Sequence, residues 1–259
     1  MTKFAQGNDG VRIAYEVVGD GEPVVLVHGF ASDRVQNWRG PGWYKTLTDG
    51  GYRVVALDCR GHGESDKPHD PKFYGHATMA QDVLTVMSDA GVGHAFLMGY
   101  SMGGYIGMSL LMTRPECFRK VVIAGVGASY LDLNAAEAAV ADPERRMMIS
   151  DALVADDVSS IKNDTARNFR LFADQPGKDR LALAACMRGD RNVFSREQLG
   201  RSTLPVLVVC GENDVLTGSP GPLAAAFADG RAVTVPNRDH MTAVGDKVYK
   251  QAVLNFLAT

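Results

Sequence analysis

The feature that most constrains the fold is the pentapeptide Gly99-Tyr100-Ser101-Met102-Gly103, which lies between an apolar run and a helical run. Residues 95–98 have the composition of a short buried strand. Residues 102–112 are small or apolar almost throughout and end before Pro115, which cannot continue a helix. This order predicts a nucleophile elbow, a sharp turn that lifts the Ser101 hydroxyl clear of the sheet. The glycines fit this turn because side chains beside the serine would collide with the neighbouring strand and helix.

A Gly/Ser turn that merely joins a strand to a helix would have the same letters, so the serine needs partners. A serine hydroxyl is a poor nucleophile unless a base takes its proton and a third group orients that base. Nucleophile elbows are followed along the chain first by the acid and then by the histidine. After Ser101 the sequence contains one histidine, His240, and we predict that it is the base. The alternative is a surface-loop histidine.

The predicted acid is Asp214. Residues 205–210 form a continuous apolar, β-branched run that is typical of a buried parallel strand. Asp214 follows it, at the edge of the sheet where sites in α/β proteins are built. Asp132, shortly after a predicted strand at 121–124, is the main rival, and Glu212 is a lesser one. An aspartate that merely caps a helix or a turn also remains possible.

Two backbone N–H groups are needed to stabilise a tetrahedral oxyanion. We predict that they are those of Met102, directly after the serine, and Phe30. Phe30 ends the stretch His28-Gly29-Phe30, which follows an apolar run at 23–27. His28 is interpreted as a hydrogen-bonding residue at the pocket rather than as a second base.

Together these stretches resemble the α/β-hydrolase superfamily, in its serine-nucleophile branch of esterase-like and lactonase-like enzymes. The motifs occur in the family's order: His28-Gly29-Phe30, then 58–65 (a D-x-R-G-x-G-x-S stretch), then Gly99 to Gly104, and then Asp214 with His240. The resemblance implies an α/β fold with a mostly parallel central sheet, flanking helices and a helical cap. One departure is Asp239, since the family often has glycine before the histidine.

The periodicity divides the chain in two. Predicted strands lie at 23–27, 53–57, 95–100, 121–125, 205–210 and 231–235, and predicted helices near 42–49, 77–90, 102–113, 220–228 and 242–257. Residues 11–18 with the turn at 19–21 suggest an opening antiparallel hairpin. Strands alternating with helices predict a parallel sheet. We therefore expect a core domain from residues 1–125 and 204–259.

The alternation of predicted strands and helices stops at residues 126–203, which we expect to form the helical cap. Helical patterns there lie at 134–140, 143–154, 159–172 and 178–187, with no strand pattern. Phe169 and Phe172 of the cap, together with His28 and Met241, are the candidate pocket residues. For any single cap residue, packing onto the sheet domain is the simpler interpretation.

Composition excludes several classes. The 259 residues carry a net charge of −3, so there is no basic footprint for nucleic acid. No apolar run reaches about 18 residues, which excludes a predicted membrane span. The N-terminus lacks the apolar stretch of a secretory signal, and four scattered cysteines fit a disulfide-free cytoplasmic protein. Metal and dinucleotide motifs are missing, so no cofactor is expected and the expected partner is a small-molecule ester.

The predicted activity is hydrolysis of an ester, thioester or lactone through an acyl-serine. Acyl transfer, perhydrolysis and C–C bond hydrolysis on the same residues stay open, as does an activity on amines or peptides. The family's epoxide hydrolases and dehalogenases use a carboxylate nucleophile, which Ser101 disfavours. Its C–C hydrolases often carry Trp after the histidine, where this chain has Met241. A binding protein that keeps the fold and uses the pocket for recognition is the alternative from another class.

Overall fold

The central feature of the computed structural model is an eight-stranded sheet. The model describes residues 1–131 and 143–259, except for the side chains of residues 143–146. The strands are β1 (Lys3–Gln6), β2 (Arg12–Val18), β3 (Glu22–Val27), β4 (Tyr52–Leu57), β5 (Ala95–Tyr100), β6 (Phe118–Ala124), β7 (Val206–Gly211) and β8 (Gly230–Val235). Their order is β1-β2-β4-β3-β5-β6-β7-β8. Pairs from β4 to β8 are parallel, so the carboxyl ends of those strands share one edge.

The predicted opening hairpin is wrong in its partner. The turn at 19–21 leads from β2 to β3, but β2 pairs antiparallel with β1 and β4, and β3 lies beyond β4. Gly21 has φ +102°, and a Cβ there would lie 2.2 Å from the Gly51 carbonyl oxygen. The chain therefore crosses closely over the segment that begins β4 instead of folding β3 back onto β2. The hairpin partner is β1, which the sequence analysis did not predict.

Helices cover both faces of the sheet. They are α1 (Trp43–Asp49), α2 (His76–Asp89), α3 (Met102–Thr113), α4 (Pro143–Val154), α5 (Asp164–Ala173), α6 (Arg180–Arg188), α7 (Arg196–Leu199), α8 (Gly221–Ala224) and α9 (Lys247–Ala258). Alternate residues of a strand face opposite layers. Val25 and Val27 of β3 pack with α2 and α3, whereas Val24 and Leu26 pack with α1 and α9. The continuous apolar runs of the sequence therefore contribute side chains to two apolar layers, one on each face of the sheet.

Helices α4 to α7 lie in the sequence between β6 and β7. Within the described parts of residues 126–203, no residue belongs to a strand of the sheet. The predicted helix at 134–140 lies outside the described residues. A separate cluster of buried side chains joins α4, α5 and α6 and includes Ile149, Leu153 and Leu183. Ala31, from the loop after β3, belongs to the same cluster, so these helices lie over the carboxyl edge of the sheet.

The segment 58–65 forms a buried polar support below that edge. Asp58 is completely buried, accepts hydrogen bonds from the Arg34 and Glu64 backbone N–H groups at 2.8 Å each, and pairs with the Arg34 guanidinium. The Ser65 hydroxyl donates to the Asp58 carbonyl at 2.6 Å. Gly63 has φ +50°, and a Cβ there would lie 2.1 Å from an Asp58 carboxylate oxygen. Residues 58–65 therefore form a tight loop after β4 that surrounds the buried Asp58 carboxylate.

Candidate active site

Ser101 sits at a strained turn between β5 and α3. Its backbone has φ 52° and ψ −114°, a conformation that residues with a side chain rarely adopt. Its N–H donates to the Ala124 carbonyl of β6 at 2.7 Å, which fixes the turn to the sheet. A Cβ on Gly99 would lie 2.1 Å from the Gly103 carbonyl oxygen, and a Cβ on Gly103 would lie 2.0 Å from that of Val27. Both glycines are therefore required by the close approach of strand and helix.

A hydrogen-bond relay links Ser101 to two residues from distant parts of the chain. His240 Nε2 lies 3.0 Å from Ser101 Oγ, and His240 Nδ1 lies 2.8 Å from Asp214 Oδ2. Asp214 follows β7 and His240 follows β8, so all three lie beyond the carboxyl ends of parallel strands. The geometry is that of a nucleophile, a base and an orienting acid.

The carboxylate of Asp214 is held in its ionised form. Its side chain is fully buried, and burial alone would raise its pKa. Hydrogen bonds from His240 and Thr217 and the charge of His240 outweigh burial and lower the Asp214 pKa below its ordinary value. Oδ1 accepts the Leu216 and Thr217 backbone N–H groups at 3.0 and 3.1 Å. An ionised carboxylate here requires the proton on His240 Nδ1, which leaves Nε2 free to accept the Ser101 hydroxyl proton.

The loop carrying His240 is fixed by its neighbours. The Tyr100 hydroxyl donates to the His240 carbonyl at 2.6 Å. Asp239, where the resembling family often has glycine, accepts the backbone N–H groups of Met241 and Thr242 at 3.0 and 2.8 Å. An aspartate side chain that accepts from residues two and three positions later stabilises a turn by itself. The departure from glycine is therefore compatible with the position of the histidine.

Two backbone amides at the cavity, those of Met102 and Phe30, are the ones that the sequence analysis predicted to bind an oxyanion. Met102 is the first residue of α3, and the first N–H groups of a helix lack intrahelical acceptors. Phe30 lies in the turn after β3. Within residues 1–131 and 143–259, neither amide donates a hydrogen bond to the protein. The turn is fixed by Asn37, whose Oδ1 accepts the Gly29 N–H at 3.0 Å, a support that no local sequence signal indicates.

His28 was expected at the pocket, but it is not among the residues that line the cavity. It is completely buried, and its two ring nitrogens are both engaged by backbone. Nε2 accepts the Cys59 N–H at 2.9 Å, which places the proton on Nδ1, and Nδ1 donates to the Gly29 carbonyl at 2.8 Å. Burial lowers the pKa of His28, so the ring is neutral. Its role is to hold the loops after β3 and β4 together beneath the site.

A cavity of about 490 Å³ opens onto Ser101 and His240. Its wall is mostly apolar, and Phe30, Met102, Phe169, Phe172 and Met241 are among the residues that line it. Phe30 and Phe169 meet edge to face, with ring centroids 5.9 Å apart. Arg191 also lines the cavity, although no sequence pattern singled it out. The rival acid Asp132 lies outside the described residues, and Glu212 instead accepts the Asn237 N–H at 2.8 Å.

Neither a metal-binding cluster nor a membrane-crossing helix occurs among the described residues. In residues 1–131 and 143–259, no group of three or more His, Cys, Asp or Glu residues is arranged to hold a metal ion. Over that same part of the chain, every helix is too short or too polar to cross a membrane.

Comparisons with known proteins concern the family and the fold of the chain. A family model described as alpha/beta hydrolase fold matches residues 22–244. The AB hydrolase superfamily protein YfhM of Bacillus subtilis is 34% identical over 121 residues, which are 46% of this chain and 41% of YfhM. The next two curated relatives are matched over 35% and 22% of their length, so the chain spans less than half of each of these three proteins.

Solved structures match over the whole chain. A hydrolase from Pseudomonas aeruginosa PA01 has a TM-score of 0.78 and 26% identity, with 100% of this chain and 98% of that chain covered. An esterase from Exiguobacterium antarcticum has a TM-score of 0.72 and 20% identity, with both chains fully covered. The second similarity concerns the fold alone.

Proposed function

The chain belongs to the α/β-hydrolase fold family, and from this premise we propose that it is a serine hydrolase that cleaves carboxylic esters, thioesters or lactones through an acyl-serine intermediate. The observation that carries the proposal is the relay from Ser101 Oγ through His240 to Asp214, with distances of 3.0 and 2.8 Å. The proposal concerns the activity of this chain and not that of any whole relative, since the first three curated relatives are matched over less than half of their length.

In the proposed reaction, Ser101 Oγ attacks the carbonyl carbon while His240 Nε2 takes the hydroxyl proton. The negative charge that develops on the carbonyl oxygen is stabilised by the Phe30 and Met102 N–H groups. Asp214 holds the imidazole in the required tautomer and stabilises the imidazolium. His240 then donates the proton to the departing oxygen or sulfur. Water, deprotonated by the same histidine, releases the acid and restores Ser101.

The substrate we propose is small and mainly apolar at the reacting end. The cavity of about 490 Å³ has a mostly apolar wall, to which Phe169 and Phe172 contribute aromatic rings. An apolar wall distinguishes two substrates that differ by one methylene group by only about 1–3 kcal/mol of transition-state binding. We therefore expect broad activity on short to medium acyl chains. Helices above the cavity also exclude water from the reacting atoms.

The test combines covalent labelling with turnover. Ser101→Ala should fold, lower kcat for p-nitrophenyl esters by about 10³-fold or more, and abolish labelling by a fluorophosphonate probe. Ser32→Ala is the matched control because Ser32 lines the same cavity without contacting His240. It should keep both labelling and turnover. Labelling that persists in the Ser101→Ala protein would contradict the proposal.

The same experiment separates the alternatives. A binding protein that keeps the fold would show no turnover across p-nitrophenyl esters of rising chain length and a set of lactones. An acyltransferase or a perhydrolase would be labelled at Ser101 but would turn over faster with an added alcohol or hydrogen peroxide than with water. The complete relay favours the hydrolase over the binding protein, because recognition alone does not require Asp214 to orient a histidine against a serine.

A further inference from the structure

Arg191 lines the same cavity as Ser101 and His240. It follows α6, in the segment that leads back towards the sheet. Among the described residues that line this cavity, Arg191 carries the one permanent charge, and none is an aspartate or a glutamate. An arginine is unusual in a mostly apolar wall, because removing a guanidinium from water without an anionic partner costs free energy.

Two other arginines of this helical region have carboxylate partners. Arg170 bonds to Asp174 at 3.0 Å, and Arg188 bonds to Asp151 at 2.9 Å. Arg191 is half-buried, and among the described residues no carboxylate lies within 4.0 Å of it. Its Nη2 donates to the Cys186 carbonyl at 3.0 Å. A guanidinium has five N–H donors in a planar fork, so this bond leaves most of its donors for another acceptor.

We propose that Arg191 binds a carboxylate of the substrate, and that the acyl group therefore carries a second carboxylate beyond the scissile bond. This inference rests on the proposed hydrolase function and narrows its substrates to half-esters of dicarboxylic acids and to lactones that bear a carboxylate. The planar fork of arginine matches the two oxygens of a carboxylate. Arg191 and Ser101 line the same cavity, and its mostly apolar wall suits a methylene chain between the two carbonyl groups.

A purely structural role is the alternative for Arg191. Its bond to Cys186 lies near the carboxyl end of α6, where a cation also stabilises the helix. That role is satisfied by one donor and does not depend on which substrate is bound. The two roles therefore differ in whether replacing Arg191 changes the preference between an anionic and a neutral substrate of equal length.

The experiment compares pairs of p-nitrophenyl esters: the half-esters of succinate, glutarate and adipate against butanoate, pentanoate and hexanoate. The readout is the ratio of kcat/KM for the anionic and the neutral member of each pair. In Arg191→Gln this ratio should fall by about tenfold to a hundredfold for the best-fitting chain, which is the range for losing a hydrogen-bonded charge. Arg191→Lys should retain part of it, since the charge remains and the fork is lost.

Arg196→Gln is the matched control. Arg196 is an exposed arginine at the start of α7, five residues away, and does not line the cavity. It should leave the ratio at its wild-type value. A ratio that is the same in wild type and Arg191→Gln, with both proteins folded by circular dichroism, would overturn the assignment of Arg191 while the hydrolase itself stands.

A binding measurement keeps the inference testable if no ester is cleaved. Titration calorimetry of the Ser101→Ala protein with glutarate and with pentanoate tests the cavity without chemistry. Tighter binding of glutarate that disappears when Arg191→Gln is added would support the carboxylate site even if the proposed function failed. Equal affinities for the two acids, unaffected by Arg191→Gln, would refute it.

Discussion

At the residue scale, the imidazole of His240 lies closely against Gly125 and the ring of Tyr100. Gly125, directly after β6, has φ +61°, and a Cβ there would lie 3.1 Å from His240 Cε1 and 3.2 Å from the Tyr100 ring. The Tyr100 hydroxyl in turn holds the His240 backbone. Glycine is therefore needed at 125 for two separate reasons, the left-handed backbone and the space beside the imidazole.

These two reasons can be separated with a matched pair of glycines. Gly125→Ala and Gly91→Ala introduce the same strain, since Gly91 has φ +68°, but a Cβ at Gly91 meets no atom within 4 Å. We expect both variants to lose about 1–2 kcal/mol of unfolding free energy. Only Gly125→Ala should also lose kcat, by about tenfold or more, because a small displacement of a catalytic group is costly. Urea unfolding and ester turnover measure the two effects, and equal kcat in both variants would contradict the role given to Gly125.

Asp214 can be tested as the orienting acid without removing its volume. Asp214→Asn keeps the shape of the side chain but can donate to His240 Nδ1 and so favour the wrong tautomer, and we expect kcat to fall by about 10⁴-fold. Asp132→Asn is the companion variant, because Asp132 is the rival acid of the sequence analysis. It should affect kcat far less. A larger loss from Asp132→Asn would move the acid to the segment after β6 and leave His240 in its role.

At the scale of single elements, α5 presents two different faces. Phe169 and Phe172, three residues apart, line the cavity, whereas Leu171 between them is 53% exposed. Arg170 is buried under the helix and donates to the Ala152 carbonyl of α4 at 3.0 Å. Arg170 also donates to the Ala155 carbonyl just after α4, so it fixes α5 to its neighbour while the aromatic side of α5 faces the cavity.

Shortening the aromatic side chains of α5 should change chain-length preference more than chemistry. Phe169→Ala or Phe172→Ala enlarges the cavity, so the preferred p-nitrophenyl ester should become longer while acetate esters are still turned over. Leu171→Ala is the matched control on the exposed face and should keep the wild-type profile. Unchanged profiles in both folded phenylalanine variants would mean that these rings serve packing and that other groups shape the pocket.

How well an element could be predicted depended on whether its cause was local. Helix α3 and strand β5 follow from their apolar runs and from Pro115, and the structure has them at the predicted positions. The helix predicted from 242 begins at Lys247 instead, because the Asp246 side chain accepts the Val248 N–H and caps it there. The hairpin partner of β2 could not be found, since Gly21 passes over Gly51, thirty residues away, and no local pattern encodes that approach.

At the scale of the whole molecule, the site is assembled from segments that the sequence keeps far apart. Ser101, Asp214 and His240 could be proposed because each lies in a local motif after a predicted strand. Arg191 and Asn37 have no such motif, and their places in the wall of the cavity arise from tertiary packing alone. Sequence reasoning therefore finds groups defined by chemistry and spacing, and misses groups that the fold brings in from segments with no pattern of their own.

The same architecture predicts two levels of stability. Strands β3, β5 and β6 lie in the middle of the sheet between two apolar layers, whereas α5 buries Ala166 and Ala173 in a separate, smaller cluster. Regions with fewer buried apolar contacts open at lower free energy. We expect amides of α5 to exchange with solvent deuterium at least about tenfold faster than those of β5, a difference of about 1.4 kcal/mol in opening free energy.

Occupying the cavity should remove much of that difference. A pentyl phosphonate attached to Ser101 would contact the cavity wall formed by Phe169 and Phe172, so hydrogen exchange in α5 should slow. Exchange in α9, which packs with α1 on one face of the sheet, should stay the same. Hydrogen exchange followed by mass spectrometry measures both segments in one experiment. Equal exchange of α5 and β5 in the free protein would mean that helices and sheet unfold as one cooperative unit, and substrate entry would then need no separate opening of the helices above the cavity.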